Sequence, residues 1–154
     1  MSLKVAINGF GRIGRNILRA IIENNYEQIE VVAINDLGPV STNAHLLKYD
    51  TIHGQFLNDV IVHDNSIDVG FGPIKVTSLR NPEDLPWRDL NIDVVFECTG
   101  IFASKEKAEL HLKAGAKKVL VSAPANGAEL TVVYGVNHRK INNFFCYMQW
   151  IFFI

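Results

Sequence analysis

Cysteine is scarce in this sequence. Cys98 and Cys146 are the two among 154 residues, too few for a disulfide framework and suited to a reducing compartment. An excess of one charge is lacking too. Fifteen basic against 16 acidic side chains leave a formal net charge of -1, which gives no electrostatic case for nucleic acid or an anionic membrane surface as a partner. Long apolar runs are missing. The longest uncharged, strongly apolar stretch is residues 141–154, and Asn142, Asn143 and Gln149 interrupt it; a membrane-crossing helix needs about 20 apolar residues. Met1-Ser2-Leu3-Lys4-Val5 leads directly into a strand pattern, with no basic segment followed by a long apolar one. No secretory signal is therefore visible, and the expected setting is cytoplasmic. The five histidines, His45, His53, His63, His111 and His138, lack metal-ligand spacing, and there are no repeats or low-complexity linkers. What is present is a 48% hydrophobic, 20% charged chain of one domain's length, able to build a full core.

Strand and helix signals alternate through the first half. Residues 4–8 are short, apolar and β-branched. Residues 12–24 then carry apolar side chains at Ile13, Ile17, Ala20, Ile21 and Ile22, close to a helical period. Residues 29–35 (IEVVAIN) form a β-branched run, as expected for a strand buried on both faces. Strand, helix and strand within about 30 residues make a βαβ unit. A short helix is expected over residues 42–50, with Ser41 or Thr42 as its N-cap. Brief alternating pieces between residues 60 and 78, separated by Gly70, Gly72 and Pro73, predict a small antiparallel insertion. The α/β rhythm returns with a strand over 92–98. A helix over 104–114 follows, capped by Ser104, stopped by Gly115 and carrying His111 on its surface. Strands are then expected over 118–122 and 130–136. The expected architecture is a doubly wound, mainly parallel α/β sheet of the Rossmann type.

The motif that carries chemistry is Asn8-Gly9-Phe10-Gly11-Arg12-Ile13-Gly14, a G-x-G-x-x-G leaving the first strand and opening the first helix. Alone, such a pattern is as often a plain glycine turn. Its context gives each glycine a separate role. Gly9 permits the tight turn, Gly11 the close approach of a pyrophosphate to backbone, and Gly14 the close packing of helix on strand. The helix start offers unpaired N–H groups and partial positive charge to the diphosphate. Asp36 closes the second strand 22 positions after Gly14, where an acid accepts hydrogen bonds from a ribose 2′-OH. A carboxylate there also repels a 2′-phosphate, which favours NAD over NADP.

Several separate stretches resemble one family, in order and at its spacing: VAINGFGRIGRN (5–16), AINDL (33–37), HLLKYDTIHGQF (45–56), ECTG (97–100), AGAKKVLVSAPA (114–125) and TVVYGVNH (131–138). They look like the N-terminal, NAD-binding domain of glyceraldehyde-3-phosphate dehydrogenase. Erythrose-4-phosphate dehydrogenases are a sister group sharing most of these motifs. The resemblance implies that Arg12 and Ile13 meet the pyrophosphate through backbone, Asp36 holds the adenosine ribose, and Arg80 lies by the adenine pocket. It further implies that Thr99 and Gly100 line the cofactor cleft and that Ser122 sits near the nicotinamide, with Asn8, Phe10 and Asn35 in support. It implies phosphorylating oxidation of a small phosphorylated aldehyde in glycolysis, and a homotetramer for full-length members.

The likeness stops near Lys140. A Rossmann domain over residues 1–140 and a divergent apolar tail over 141–154 are the expected division. Six of the 15 aromatic residues fall in the last eleven positions, without a charge. Phe153 stands about where the family's Ser-Cys-Thr-Thr-Asn motif would place its nucleophile. Cys98, on an apolar strand, reads as a small core residue, and Cys146, among aromatics, as an unactivated thiol. No catalytic residue is assigned, and the chain is expected to bind NAD without turnover alone. Two readings of the tail stay open: an unselected peptide left by truncation or a change of frame, and an aromatic peptide that docks on a partner. An erythrose-4-phosphate dehydrogenase fragment and a non-catalytic nucleotide-binding or interaction module remain the alternative functions.

Overall fold

The structure is a computed structural model, and it describes residues 2–141 and 147–151. Cys146, expected to be an unactivated thiol, and Phe153, expected near the family's nucleophile position, lie outside the described residues, as does the rest of the tail beyond 147–151.

The first strand, β1 (Leu3–Asn8), is apolar at Val5, Ala6 and Ile7, all fully buried. These three face alternately to the two sides of the sheet: Ile7 joins one core and Ala6 another. Helix α1 (Arg12–Glu23) returns across one face on Gly14, Leu18, Arg19 and Ile21 and leads to β2 (Ile29–Asn35), parallel to β1. Helix α2 (Val40–Lys48) follows. It starts at Pro39 rather than at the hydroxyl residues expected to cap it, and no side chain caps it. The fixed φ of proline, here -59°, already suits entry into a helix. Residues 49 and 50, expected to be helical, instead pair as β3 (Tyr49–Asp50) with β4 (Gly54–Gln55).

Arg19 ties this excursion to α1. It is 4% exposed, donates through both terminal nitrogens to Gly54 O at 3.0 and 3.1 Å, and lies over the Phe56 ring. The insertion is antiparallel as expected: β5 (Ile61–His63), β6 (Ser66–Asp68) and β7 (Pro73–Thr77). It also extends the main sheet, because β7 runs parallel to β2.

The chain then crosses to the other side of β1. Strand β8 (Val94–Glu97) pairs with β1, helix α3 (Lys105–Lys113) follows, and β9 (Lys118–Val121) pairs with β8. Ser104 occupies the N-cap position of α3, but its hydroxyl makes no cap bond to backbone and engages the Glu106 carboxylate instead. Strand β10 (Leu130–Val133) is shorter than expected. Strand β11 (Tyr147–Ile151), inside the segment read as a tail, lies between β9 and β10 and is parallel to both. The nine-stranded order is β10-β11-β9-β8-β1-β2-β7-β6-β5, and a separate two-stranded sheet holds β3 and β4. The strand order thus reverses between β1 and β8, and a ligand crevice is expected outside the carboxyl ends of strands at such a point.

Candidate functional site

A crevice opens there. Its volume is about 500 Å³, and Asn8, Gly9, Gly11, Asp36, Arg80 and Thr99 stand on its walls. Gly9 leaves β1 with φ +90°, and a Cβ on it would come within 2.8 Å of the Thr99 amide nitrogen. The left-handed backbone and the close neighbour both demand glycine. Gly11 differs. It is exposed, its φ is -72°, and a Cβ there would meet nothing within 4 Å. The protein itself therefore does not require glycine at this point, whereas a ligand pressed against the backbone would. Gly11 is also the N-cap of α1 and provides no side-chain cap, so the first-turn amides of Arg12 and Ile13 stay open to an anion. Gly14 is buried, and a side chain there would collide with Gly9 O.

Asp36 follows β2 and is half-buried. Its Oδ2 accepts from Phe10 N–H at 2.8 Å; its Oδ1 accepts from Gly38 N–H at 2.8 Å and from Asn43 Nδ2 at 3.3 Å. The carboxylate is thereby aimed along the crevice beside the glycine loop. Asn35 pins the opposite wall. It donates to Asn8 Oδ1 at 2.7 Å and to Leu79 O at 2.9 Å, and accepts from Leu79 N–H at 2.9 Å. That clamp holds the segment bearing exposed Arg80 at the crevice edge.

Of the remaining residues singled out in the sequence, Arg12 and Ile13 lie in the first turn of α1, next to Gly11 but not themselves on the crevice wall. Gly100, exposed with φ +74°, turns the chain just past Thr99. Ser122 follows β9, one strand further out, and both its N–H and its hydroxyl donate to Glu97 O, at 3.0 and 3.1 Å. Four apolar lining residues escaped the sequence reading: Leu37, Leu79, Ile101 and Phe102. Each lies within a few residues of the carboxyl end of a parallel strand, Leu37 after β2, Leu79 after β7, and Ile101 and Phe102 after β8, and that placement was the available signal.

Cys98 also reaches the crevice wall. Burial pushes its thiol up to about 12; the Ser122 hydroxyl opposes the rise and the Glu97 charge adds to it. Native Cys98 should therefore react with iodoacetamide at pH 8 about a hundredfold more slowly than in the denatured chain. Mass spectrometry of the Cys98 peptide over time measures this, and equal native and denatured rates would refute it. The histidine assigned to the surface of the second long helix requires correction. His111 is 0% exposed and hydrogen-bonded to Glu97 and Trp87. Among the described residues no three potential metal ligands converge, and no helix is long and apolar enough to cross a membrane.

Residues 3–105 match the family described as "Glyceraldehyde 3-phosphate dehydrogenase, NAD binding domain". The chain belongs to that family. It is 67% identical over 143 residues to glyceraldehyde-3-phosphate dehydrogenase of Xanthobacter flavus, which covers 93% of this chain and 43% of that protein. The Cereibacter sphaeroides enzyme is 64% identical over 141 residues, covering 92% and 42%. That of Pseudomonas aeruginosa is 55% identical over 142 residues, again 92% and 42%. The chain thus spans less than half the length of these relatives. What it shares with glyceraldehyde-3-phosphate dehydrogenases is the NAD-binding domain, a Rossmann-type unit of an oxidoreductase family.

Proposed function

We propose that this chain binds NAD in the crevice between β1 and β8 as the coenzyme half of a phosphorylating aldehyde dehydrogenase. The observation that carries the reading is the contrast at Gly11: a glycine with open space around it, at the cap of a helix whose first amides lack a protein partner of their own turn. The residues fit the coenzyme. Backbone amides from Gly11 to Ile13 would receive the pyrophosphate, Asp36 the adenosine ribose, and Arg80 the adenine edge. Thr99 and Gly100 would flank the cleft, with Ser122 towards the nicotinamide. When bound, NAD supplies a hydride acceptor at its nicotinamide ring. The residues of this chain contribute binding and orientation: the amides neutralise the bridge, and the Asp36 carboxylate fixes the sugar and disfavours a 2′-phosphate. The wider activity would be oxidation of a small phosphorylated aldehyde in a cytoplasmic homotetramer. This chain alone would bind coenzyme without turnover, since Cys98 is held as a thiol.

Asp36→Ala tests the reading. It should weaken NAD binding about tenfold, because an acceptor for the ribose is lost, and narrow the preference over NADP, because the repelling charge goes too. Calorimetric titration with each coenzyme reads both effects. Unchanged affinity for both would reduce Asp36 to a turn residue holding Phe10 and Gly38.

A further inference from the structure

Behind the crevice floor, Glu97 ends β8 with 0% exposure, and donors enclose its carboxylate. Oε1 accepts from Thr99 N–H at 2.8 Å and from the Thr99 hydroxyl. Oε2 accepts from Asn8 Nδ2 at 2.6 Å and from His111 Nε2 at 2.9 Å. The Trp87 indole N–H reaches His111 Nδ1 at 3.0 Å, and Trp87 is likewise fully buried. An indole nitrogen can only donate. Nδ1 is therefore the bare ring nitrogen, and the imidazole proton sits on Nε2, directed at Glu97. Trp87 fixes the tautomer, and the tautomer fixes Oε2.

A core has little use for such a group. Removing a carboxylate from water is costly, and well-packed apolar side chains serve stability as well or better. The partners explain the expense. Apart from His111, every donor on the Glu97 carboxylate belongs to a crevice residue: Asn8 closes β1, and Thr99 stands on the facing wall. Thr99 in turn abuts Gly9, leaving no room there for a Cβ. Asn8 passes the constraint to Asn35 at 2.7 Å, and so to the segment carrying Leu79.

We infer that Glu97 is a positioning residue of the coenzyme site: its carboxylate sets Thr99 against Gly9, and so sets the seat of the glycine loop for the dinucleotide's anionic bridge, while His111 and Trp87 hold that carboxylate from behind. This rests on reading the crevice as the NAD site. The amide isostere should then fail to substitute. In Glu97→Gln one acceptor becomes an NH₂. Turned towards Thr99, it faces that residue's N–H. Turned the other way, it faces the Asn8 amide and the His111 Nε2–H, and shifting the imidazole proton to Nδ1 would oppose it to the Trp87 N–H. Neither orientation pairs every donor.

The test compares the 154-residue chain with Glu97→Gln and Trp87→Phe, using NAD calorimetry, ¹⁵N NMR of the His111 ring and the Thr99 amide, and thermal unfolding. The unaltered chain should bind NAD and show the Nε2–H tautomer. Folded Glu97→Gln should bind NAD about tenfold more weakly, with the Thr99 amide proton shifted upfield as its charged acceptor disappears. Trp87→Phe keeps the carboxylate but frees Nδ1; His111 should become a tautomer mixture, and NAD affinity should fall about threefold. No NAD binding by the unaltered chain would overturn the crevice reading, and this inference with it. Normal binding by the unaltered chain with equal affinity in Glu97→Gln would overturn the inference alone, since a purely structural Glu97 would lower the melting temperature and leave NAD affinity unmoved. Should Glu97→Gln not fold, Trp87→Phe decides: a mixed tautomer with unchanged NAD affinity also overturns it.

Discussion

Gly14→Ala is expected to lower the stability of the chain by about 3 kcal/mol, because the added methyl is forced into backbone rather than into a yielding side chain. The atom in its way is Gly9 O, with Ile7 Cγ2 behind at 3.0 Å, so α1 must lift from β1 before the methyl fits. That shift also moves the first-turn amides off the crevice, and NAD binding should fail together with stability. Gly11→Ala is the control. Its methyl meets nothing within 4 Å, so stability should stay within about 1 kcal/mol of the parent, the small loss reflecting the poorer cap. NAD affinity should nevertheless fall, since the methyl takes the space the pyrophosphate needs. Denaturant unfolding and coenzyme titration on both variants separate the roles. Full NAD affinity in a stable Gly11→Ala variant would leave the motif with no function beyond the turn.

Met148→Asp should cost about 3 kcal/mol, as expected when a charge is placed in a core without a partner. Met148 is 4% exposed on β11, and that strand links β9 to β10 by parallel pairing on both sides. Among the described residues β10 pairs only with β11, so expelling β11 should free residues 130–133 as well. Amide hydrogen exchange at Val132 and Val133 would then rise to the level of an open segment. Unchanged unfolding and exchange in Met148→Asp would show that the apolar end of the chain contributes nothing to the sheet.

The parts of the fold that are written locally were open to sequence reading. Strand β2 begins and ends where its β-branched stretch does, at Ile29 and Asn35, because a strand covered over most of both faces is rich in apolar positions; Glu30 is the exposed exception. The glycine loop, the start of α1 at Arg12 and the placement of Asp36 follow from turn chemistry and from a period that switches from two to 3.6. What depends on distant partners was not open. His111 sits in a helix rich in Lys and Glu, and its surroundings in sequence point to solvent; its partners Glu97 and Trp87 lie 14 and 24 residues earlier. The same distance hid Glu97, whose neighbours read only as an apolar strand. Strand β11 escaped because its apolar run lacks alternation and follows a break in composition, so its likeness to an interior strand shows only once β9 and β10 stand on either side. At α2 the preference for hydroxyl caps pointed to Ser41 or Thr42, whereas the preset φ of Pro39 started the helix earlier.

Amide chemical-shift mapping of the uniformly ¹⁵N-labelled chain during NAD titration tests the coenzyme assignment most directly. Saturable shifts should concentrate at the amides of Phe10, Gly11, Arg12 and Ile13, at Gly38 beside Asp36, and at Thr99, with the far sheet edge of β5 and β6 silent. Saturation with NAD that leaves those amides unmoved, or that shifts residues on another surface, would contradict it.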